Sequence, residues 1–151
     1  MTTPKPDLRT RALQFLARRD HARAELQQKL QPHAESAEEI EALLNDFAAR
    51  GWLSDSRFAE QWTHQRGTRY GSLRLKQELR MKGVGDETIA TALEEIAESE
   101  EDRARAVWQK KFGSPATTPN ERAKQARFLA ARGFPLDIVY RIISGGEEPY
   151  E

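Results

Sequence analysis

Apolar residues along this chain recur every three or four positions, and no stretch alternates like a half-buried strand. Leu8, Ala12, Leu13 and Leu16 outline one helical face, which ends near "RRDH". Asp20 is placed to cap a second helix carrying Ala22, Leu26 and Leu30, and Pro32 ends it. "SAEE" has capping-box spacing, Ser36 with Glu39, and opens a third helix with the face Ile40, Leu43, Leu44 and Phe47. Gly51 reads as its stop. The cycle then restarts. Ser54 or Asp55 caps a helix with Phe58, Ala59 and Trp62. Ser72 opens "LRLKQELRMK", with Leu75 and Leu79 inward and Gly83 ending it, and Asp86 caps "ETIATALEEI". No Pro or Gly interrupts residues 86–112, which predicts one long helix through Val107, Trp108 and Phe112. "GSPATTP" is a loop, and Thr118, Pro119 and Glu121 then supply an N-cap, a first-turn proline and a capping-box acid. That helix runs to Arg132, Gly133 stops it, and a last helix from about Pro135 carries Ile138, Val139, Ile142 and Ile143.

The pattern repeats. "LRMKGVGDETIATAL" (79–93) superposes on "LAARGFPLDIVYRII" (129–143) at an offset of fifty residues. Leu79 meets Leu129, Gly83 meets Gly133, and Ile89 meets Val139. "RAELQQKL" (23–30) resembles "KQELRMKG" (76–83) more loosely. The expectation is an all-α chain of three tandem three-helix repeats, 1–53, 54–98 and 99–145, followed by a frayed tail, 146–151. Each repeat is too small to bury its own face well, so neighbours are expected to pack end to end.

Composition agrees with thin helical layers. Charged residues make up 32% of the chain and hydrophobic ones 38%. No apolar run is long enough to span a membrane, and "MTTPKPDLRT" lacks the hydrophobic block of a signal peptide, so the expected location is the cytoplasm. The absence of cysteine excludes disulfides, thiolate metal sites and a cysteine nucleophile.

The net charge of zero conceals alternation. Residues 63–85 carry six basic side chains and one acidic, residues 86–102 carry eight acidic and no basic, and residues 103–134 carry eight basic and one acidic. Catalysis finds little support in this arrangement. His21, His33 and His64 lie apart without i,i+4 ligand spacing, and surface or capping roles suit them better than metal binding. Adjacent acids such as Glu94–Glu95 and Glu100–Glu101 point about 100° apart on a helix and read as a solvated face, not a catalytic dyad. No enzyme and no cofactor is expected. The basic residues are the candidates for contact with a partner or a nucleic acid: Arg66, Arg69, Arg74, Lys76, Arg80, Lys82, Arg122, Lys124, Arg127 and Arg132. Arg103, Arg105, Lys110 and Lys111 add a further cluster before the loop. Arg74 and Lys82 fall away from Lys76 and Arg80 around their helix, so no single basic face forms to read a groove. Phe47, Phe58, Trp62, Trp108 and Phe112 have core-like spacing, whereas Tyr70 sits in a polar loop where it could touch a partner or cap a helix.

Four stretches together, "ALQFLARRDHARAELQQKL", "RGWLSDSRFAEQW", "GSLRLKQELRMKGV" and "FLAARGFPLDIVYRII", resemble the RecX family of bacterial regulatory proteins in order and spacing, from about Leu8 to Ile143. Pro135 and Ala22 depart from residues frequent in the family, and both departures touch helix starts only. The resemblance implies three tandem three-helix units in an elongated, curved array. It further implies a protein that binds the RecA recombinase, lodges in the groove of its filament on single-stranded DNA, and lowers its strand exchange, ATPase and coprotease activities; a monomer is expected. The alternative, from the charge pattern alone, is a basic helical module that acts on DNA directly.

Overall fold

A computed structural model describes residues 6–144. The expected tail 146–151 lies outside the described residues. Nine α-helices follow one another, with no strand among the described residues: α1 Leu8–Arg18, α2 Arg23–Leu30, α3 Ala37–Ala49, α4 Asp55–Arg66, α5 Ser72–Met81, α6 Asp86–Glu95, α7 Glu100–Lys111, α8 Pro119–Ala131 and α9 Leu136–Ile143. No described helix is long and apolar enough to cross a membrane. The helices group into two compact units. One holds the described residues as far as Glu60 together with Leu79–Ile89, and the other holds Gln61–Glu78 and the described residues from Ala90 onward.

The core of the first unit is built by Leu8, Ala12, Leu26, Leu30, Ile40, Leu44, Phe47 and Leu53, with Phe15 and Leu16 packed against them. Leu13 is a correction to the expected face: it is 40% exposed. At 100° per residue it lies about 140° around α1 from Leu8, and Phe15 takes its place. The caps of this unit also differ from expectation at one point. Asp20 does not cap α2, because its carboxylate pairs with the Arg57 guanidinium at 3.2 Å. The first N–H groups of α2 go elsewhere: Ala22 donates to Glu25 at 3.4 Å, and Arg23 donates to Asp55 Oδ1 at 2.7 Å. Ser36 and Ser54 do act as caps, accepting from the amides of Glu39 and Arg57 at 3.2 and 3.1 Å. Gly51 and Gly83 end α3 and α5 at positive φ, as their positions in the sequence require.

His21 is buried, not the surface or capping histidine expected. Its Nδ1 lies 3.0 Å from the Arg19 carbonyl and its Nε2 lies 3.0 Å from the Lys29 ammonium. Lys29 can only donate, so Nε2 accepts and Nδ1–H donates to the carbonyl. Burial lowers the ring's pKa, and the neutral form is the one this geometry needs.

In the second unit, Ala104, Leu129, Phe134, Ile138, Val139, Ile142 and Ile143 form the core, with Val107, Trp108, Ala126 and Phe128 against it. The long helix expected over 86–112 is broken. Ile96 leaves helical geometry (φ −108°, ψ 6°), Ala97–Ser99 form a 3₁₀ turn, and α7 starts afresh at Glu100. The break is held by side chains that a search for Pro and Gly overlooks. The freed Ile96 carbonyl accepts from the Ser99 hydroxyl at 3.0 Å and from Arg103 Nη2 at 3.2 Å. A continuous helix would also stack Glu94, Glu98 and Asp102 at i,i+4 spacing, which like charges disfavour.

Where α8 ends, its backbone docks on the start of α5. Gly71 N–H donates to the Arg132 carbonyl at 2.8 Å, and Leu73 N–H donates to the Gly133 carbonyl at 3.0 Å. Between them, Ser72 N–H donates to the Glu100 carboxylate at 2.7 Å. Three successive donors of a helix start, which have no partner within the helix, are thus satisfied from α7 and α8. The crossing is close enough that a Cβ on Gly71 would collide with the Gly133 backbone, and one on Gly133 with Arg74. Gly133 also has φ +94°, where a side chain is strained. Glu100, expected on a solvated acidic face, is only 7% exposed and serves this junction.

Candidate partner-binding groove

The same junction gathers cations around one ring. Tyr70, between α4 and α5, lies beneath three guanidinium groups: Arg74 at 3.9 Å from the ring centroid, Arg66 at 4.7 Å and Arg132 at 5.3 Å. Arg103 fixes the turn by donating to the Gly67 and Tyr70 carbonyls at 2.7 and 3.2 Å. Tyr70 therefore covers a helix junction and also gives the nearby arginines a common platform.

The ten candidate cations separate into two groups. Arg66 grips Glu78 through two nitrogens, at 2.7 and 2.6 Å, and Arg74 reaches the same carboxylate at 3.2 Å. Trp62 Nε1 donates to it as well, at 3.0 Å. Burial alone would raise the Glu78 carboxyl, but hydrogen bonds from Arg66, Trp62 and Arg74 outweigh it and hold its pKa below the usual glutamate value. In the first unit, Arg80 pairs with Asp86 at 3.0 Å and Lys82 with Glu25 at 2.9 Å. Glu25 also holds Arg19 at 2.6 Å. Burial again acts to raise this carboxyl, and hydrogen bonds from Arg19 and Lys82 bring it down to about 2. These four candidates are each paired with a carboxylate of the chain itself.

The other six form no ion pair among the described residues. Lys76, Arg122, Lys124 and Arg127 are exposed on α5 and α8. Arg69 and Arg132 line an open groove of about 630 Å³ together with Thr68, Tyr70, Ala106, Val107, Lys110, Lys111 and Phe128. That volume lies within the range of ligand-binding clefts, ~300–1,000 Å³. Ala106, Val107 and Phe128 give it apolar surface, and its four cations have no carboxylate beside them in the lining. Arg132 and Lys111 rest over the Phe128 ring at 5.0 and 5.4 Å from its centroid, and Phe112 meets that ring edge-on at 5.4 Å. The groove thus brings together two of the candidate residues with Lys110 and Lys111, which the sequence marked only as a cluster. It also uses Phe128, which the sequence did not mark. The readable signal was the i,i+4 pair Phe128–Arg132 on one face of α8. No cluster of His, Cys, Asp or Glu suited to a metal occurs among the described residues.

Comparison with known proteins assigns the repeats. Residues 9–47, 54–93 and 98–143 match the family models described as RecX, first, second and third three-helix domain. The "Regulatory protein RecX" of Ralstonia pickettii (strain 12J) is 49% identical over 144 residues, covering 95% of this chain and 91% of that protein. That of Neisseria meningitidis serogroup B is 48% identical over 136 residues, covering 90% and 88%. The crystal structure of RecX from Lactobacillus salivarius superposes with a TM-score of 0.81 at 20% identity, over 92% of this chain and 94% of that one, and so shares the fold.

Proposed function

Since the chain belongs to the RecX family of regulatory proteins, we propose that it is a non-catalytic regulator of the RecA recombinase in the cytoplasm. In this reading it acts as a monomer, binds the RecA filament on single-stranded DNA within the filament's groove, and inhibits recombinase, ATPase and coprotease activity. The observation that carries the reading is the near full-length match to regulatory relatives through all three repeats. We take the repeats to be bounded at 1–53, 54–98 and 99–145, in keeping with the matched segments. The cations left without carboxylate partners in the second unit supply a docking surface of the sign that a filament of acidic polymer and protein would attract. The test is RecA ATPase on single-stranded DNA with the protein added. Inhibition at or below stoichiometric ratio is expected, and an unchanged rate at excess protein would refute the reading.

A second reading has its own observation. Arg122, Lys124 and Arg127 lie exposed along α8 without an ion pair among the described residues, as phosphate contacts would. Direct DNA binding through them predicts an affinity without RecA that falls steeply with salt. No binding at low salt would exclude it.

A further inference from the structure

The groove between the Thr68–Tyr70 turn, α7 and α8 has a chemistry of its own. Four cations, Arg69, Lys110, Lys111 and Arg132, surround it without a lining carboxylate, while Ala106, Val107 and Phe128 provide apolar surface. Cations that have not found an acid within their own fold are free to take one from a partner at little reorganisation cost. Two kinds of polymer would bring the required negative charge, a nucleic acid and an acidic stretch of protein.

The rings decide between them. Single-stranded nucleic acids gain affinity on protein surfaces largely by stacking bases on open aromatic faces. Here both candidate rings are already occupied. Tyr70 carries Arg66, Arg74 and Arg132, and Phe128 carries Lys111 and Arg132 and meets the edge of Phe112. A base would have to displace those cations, and the groove would then lose the charges that attract the phosphates. An aliphatic or aromatic side chain needs no ring face and can lie on Val107 and Ala106. The flanking carboxylates then reach the guanidinium and ammonium groups, whose positions the rings help to fix.

We infer that this groove captures an acidic peptide segment of a protein partner, with carboxylates on Arg69, Lys110, Lys111 and Arg132 and an apolar side chain on the floor. The inference rests on the reading of the chain as a regulator that engages a protein, and it names the protein component of the target as what the groove recognises.

The probe is a fluorescein-labelled peptide of Glu and Asp residues around a central Leu-Phe pair, followed by fluorescence anisotropy with the full chain at fixed salt. Its comparators are the same peptide with Gly-Ser at the centre and an oligothymidylate of equal charge. The Lys110→Ala/Lys111→Ala double variant and Arg69→Glu should each weaken the peptide roughly tenfold or more, equivalent to about 1.4 kcal/mol. Arg122→Ala, outside the groove, should leave the peptide's affinity unchanged. Circular dichroism confirms folding of each variant. Loss of the Leu-Phe pair should weaken binding several-fold. Peptide binding that ignores both groove variants would overturn the inference. So would an oligothymidylate that binds more tightly than the peptide and is lost in the same variants. RecA ATPase run in parallel separates the two levels. Inhibition without peptide binding removes the groove assignment alone, whereas peptide binding without inhibition upholds the groove and removes the wider reading.

Discussion

Glu78 and the groove sit on the same unit, a few residues from the same tyrosine, and treat their cations in opposite ways. Around Glu78, one carboxylate takes Arg66, Arg74 and Trp62 together; Trp62 and Arg66 tie α4 to α5, and Arg74 pairs with it along α5 itself. Around the groove, Lys111 and Arg132 lie over aromatic rings, and no carboxylate joins Arg69, Lys110, Lys111 and Arg132 in the lining. The basic residues of residues 63–85 and of 103–134 look equivalent when counted along the chain. In three dimensions Arg66, Arg74, Arg80 and Lys82 of the first set are paired with carboxylates, whereas Arg69 and, from the second set, Lys110, Lys111 and Arg132 form no ion pair among the described residues and line the groove. A positive residue becomes a credible contact when its own fold has not already neutralised it.

The scaffold beneath both sets of cations is most sensitive at Gly133. Gly133→Ala would place a Cβ against Arg74 at a positive φ. Strain and collision together should cost about 2–6 kcal/mol. The measurement is the thermal midpoint. A variant as stable as wild type would mean that α8 does not dock on α5 so closely, and that Arg74 and Arg132 need not share Tyr70. Next in size is Glu78→Gln, which leaves Arg66 and Arg74 facing each other without their acid. A loss of roughly 1–3 kcal/mol in denaturant unfolding is expected. Lys110→Ala/Lys111→Ala should stay within about 0.5 kcal/mol of wild type, as exposed substitutions do. Equal losses in the two would erase the distinction between structural and available cations.

Acid should separate the two sets in the same sense. Glu78 and Glu25 are both held below the ordinary glutamate value, about 4.3, with Glu25 at about 2. A carboxylate whose pKa is depressed in the folded state contributes stability above its unfolded pKa, and that contribution is lost as pH falls through the folded one. Unfolding free energy should therefore decline from about pH 4.3 downward. Glu78→Gln and Glu25→Gln should each flatten part of the decline, and the groove double variant should follow the wild-type curve. A decline unchanged by either Gln substitution would show that these pairs are not formed in solution.

Much of this organisation is legible in the sequence. Helix periodicity placed the core positions Leu75, Leu79, Leu129 and Val139, all essentially inaccessible in the structure. Glycine stops were legible because a positive φ leaves a residue-type signature, as at Gly51, Gly83 and Gly133. Features that depend on a long-range partner were not. Asp20 has a capping residue's identity and local position, yet Arg57, distant in sequence, claims it. Glu100 reads as one more acid in an acidic run, yet it serves the first turn of α5. The break at Ile96 depends on Ser99 and Arg103 side chains that any helix could carry. The candidate contacts failed to separate for the same reason: Arg66 and Arg69 are alike until Glu78 is known to lie beside only one of them.

The smallest expected effect is the sharpest check on that separation. Lys76 is exposed and forms no ion pair among the described residues, as do the groove cations, but it lies outside the groove lining. If lack of an internal partner were sufficient to make a contact, Lys76→Ala would weaken RecA inhibition as Lys110→Ala does. If the shape of the groove is also required, Lys76→Ala should leave stability within about 0.5 kcal/mol and inhibition unchanged. Parallel titrations of the two single variants against RecA ATPase on single-stranded DNA measure the difference. Equal loss in both would replace the groove with a diffuse electrostatic surface, in which each exposed cation adds a small, salt-screened share.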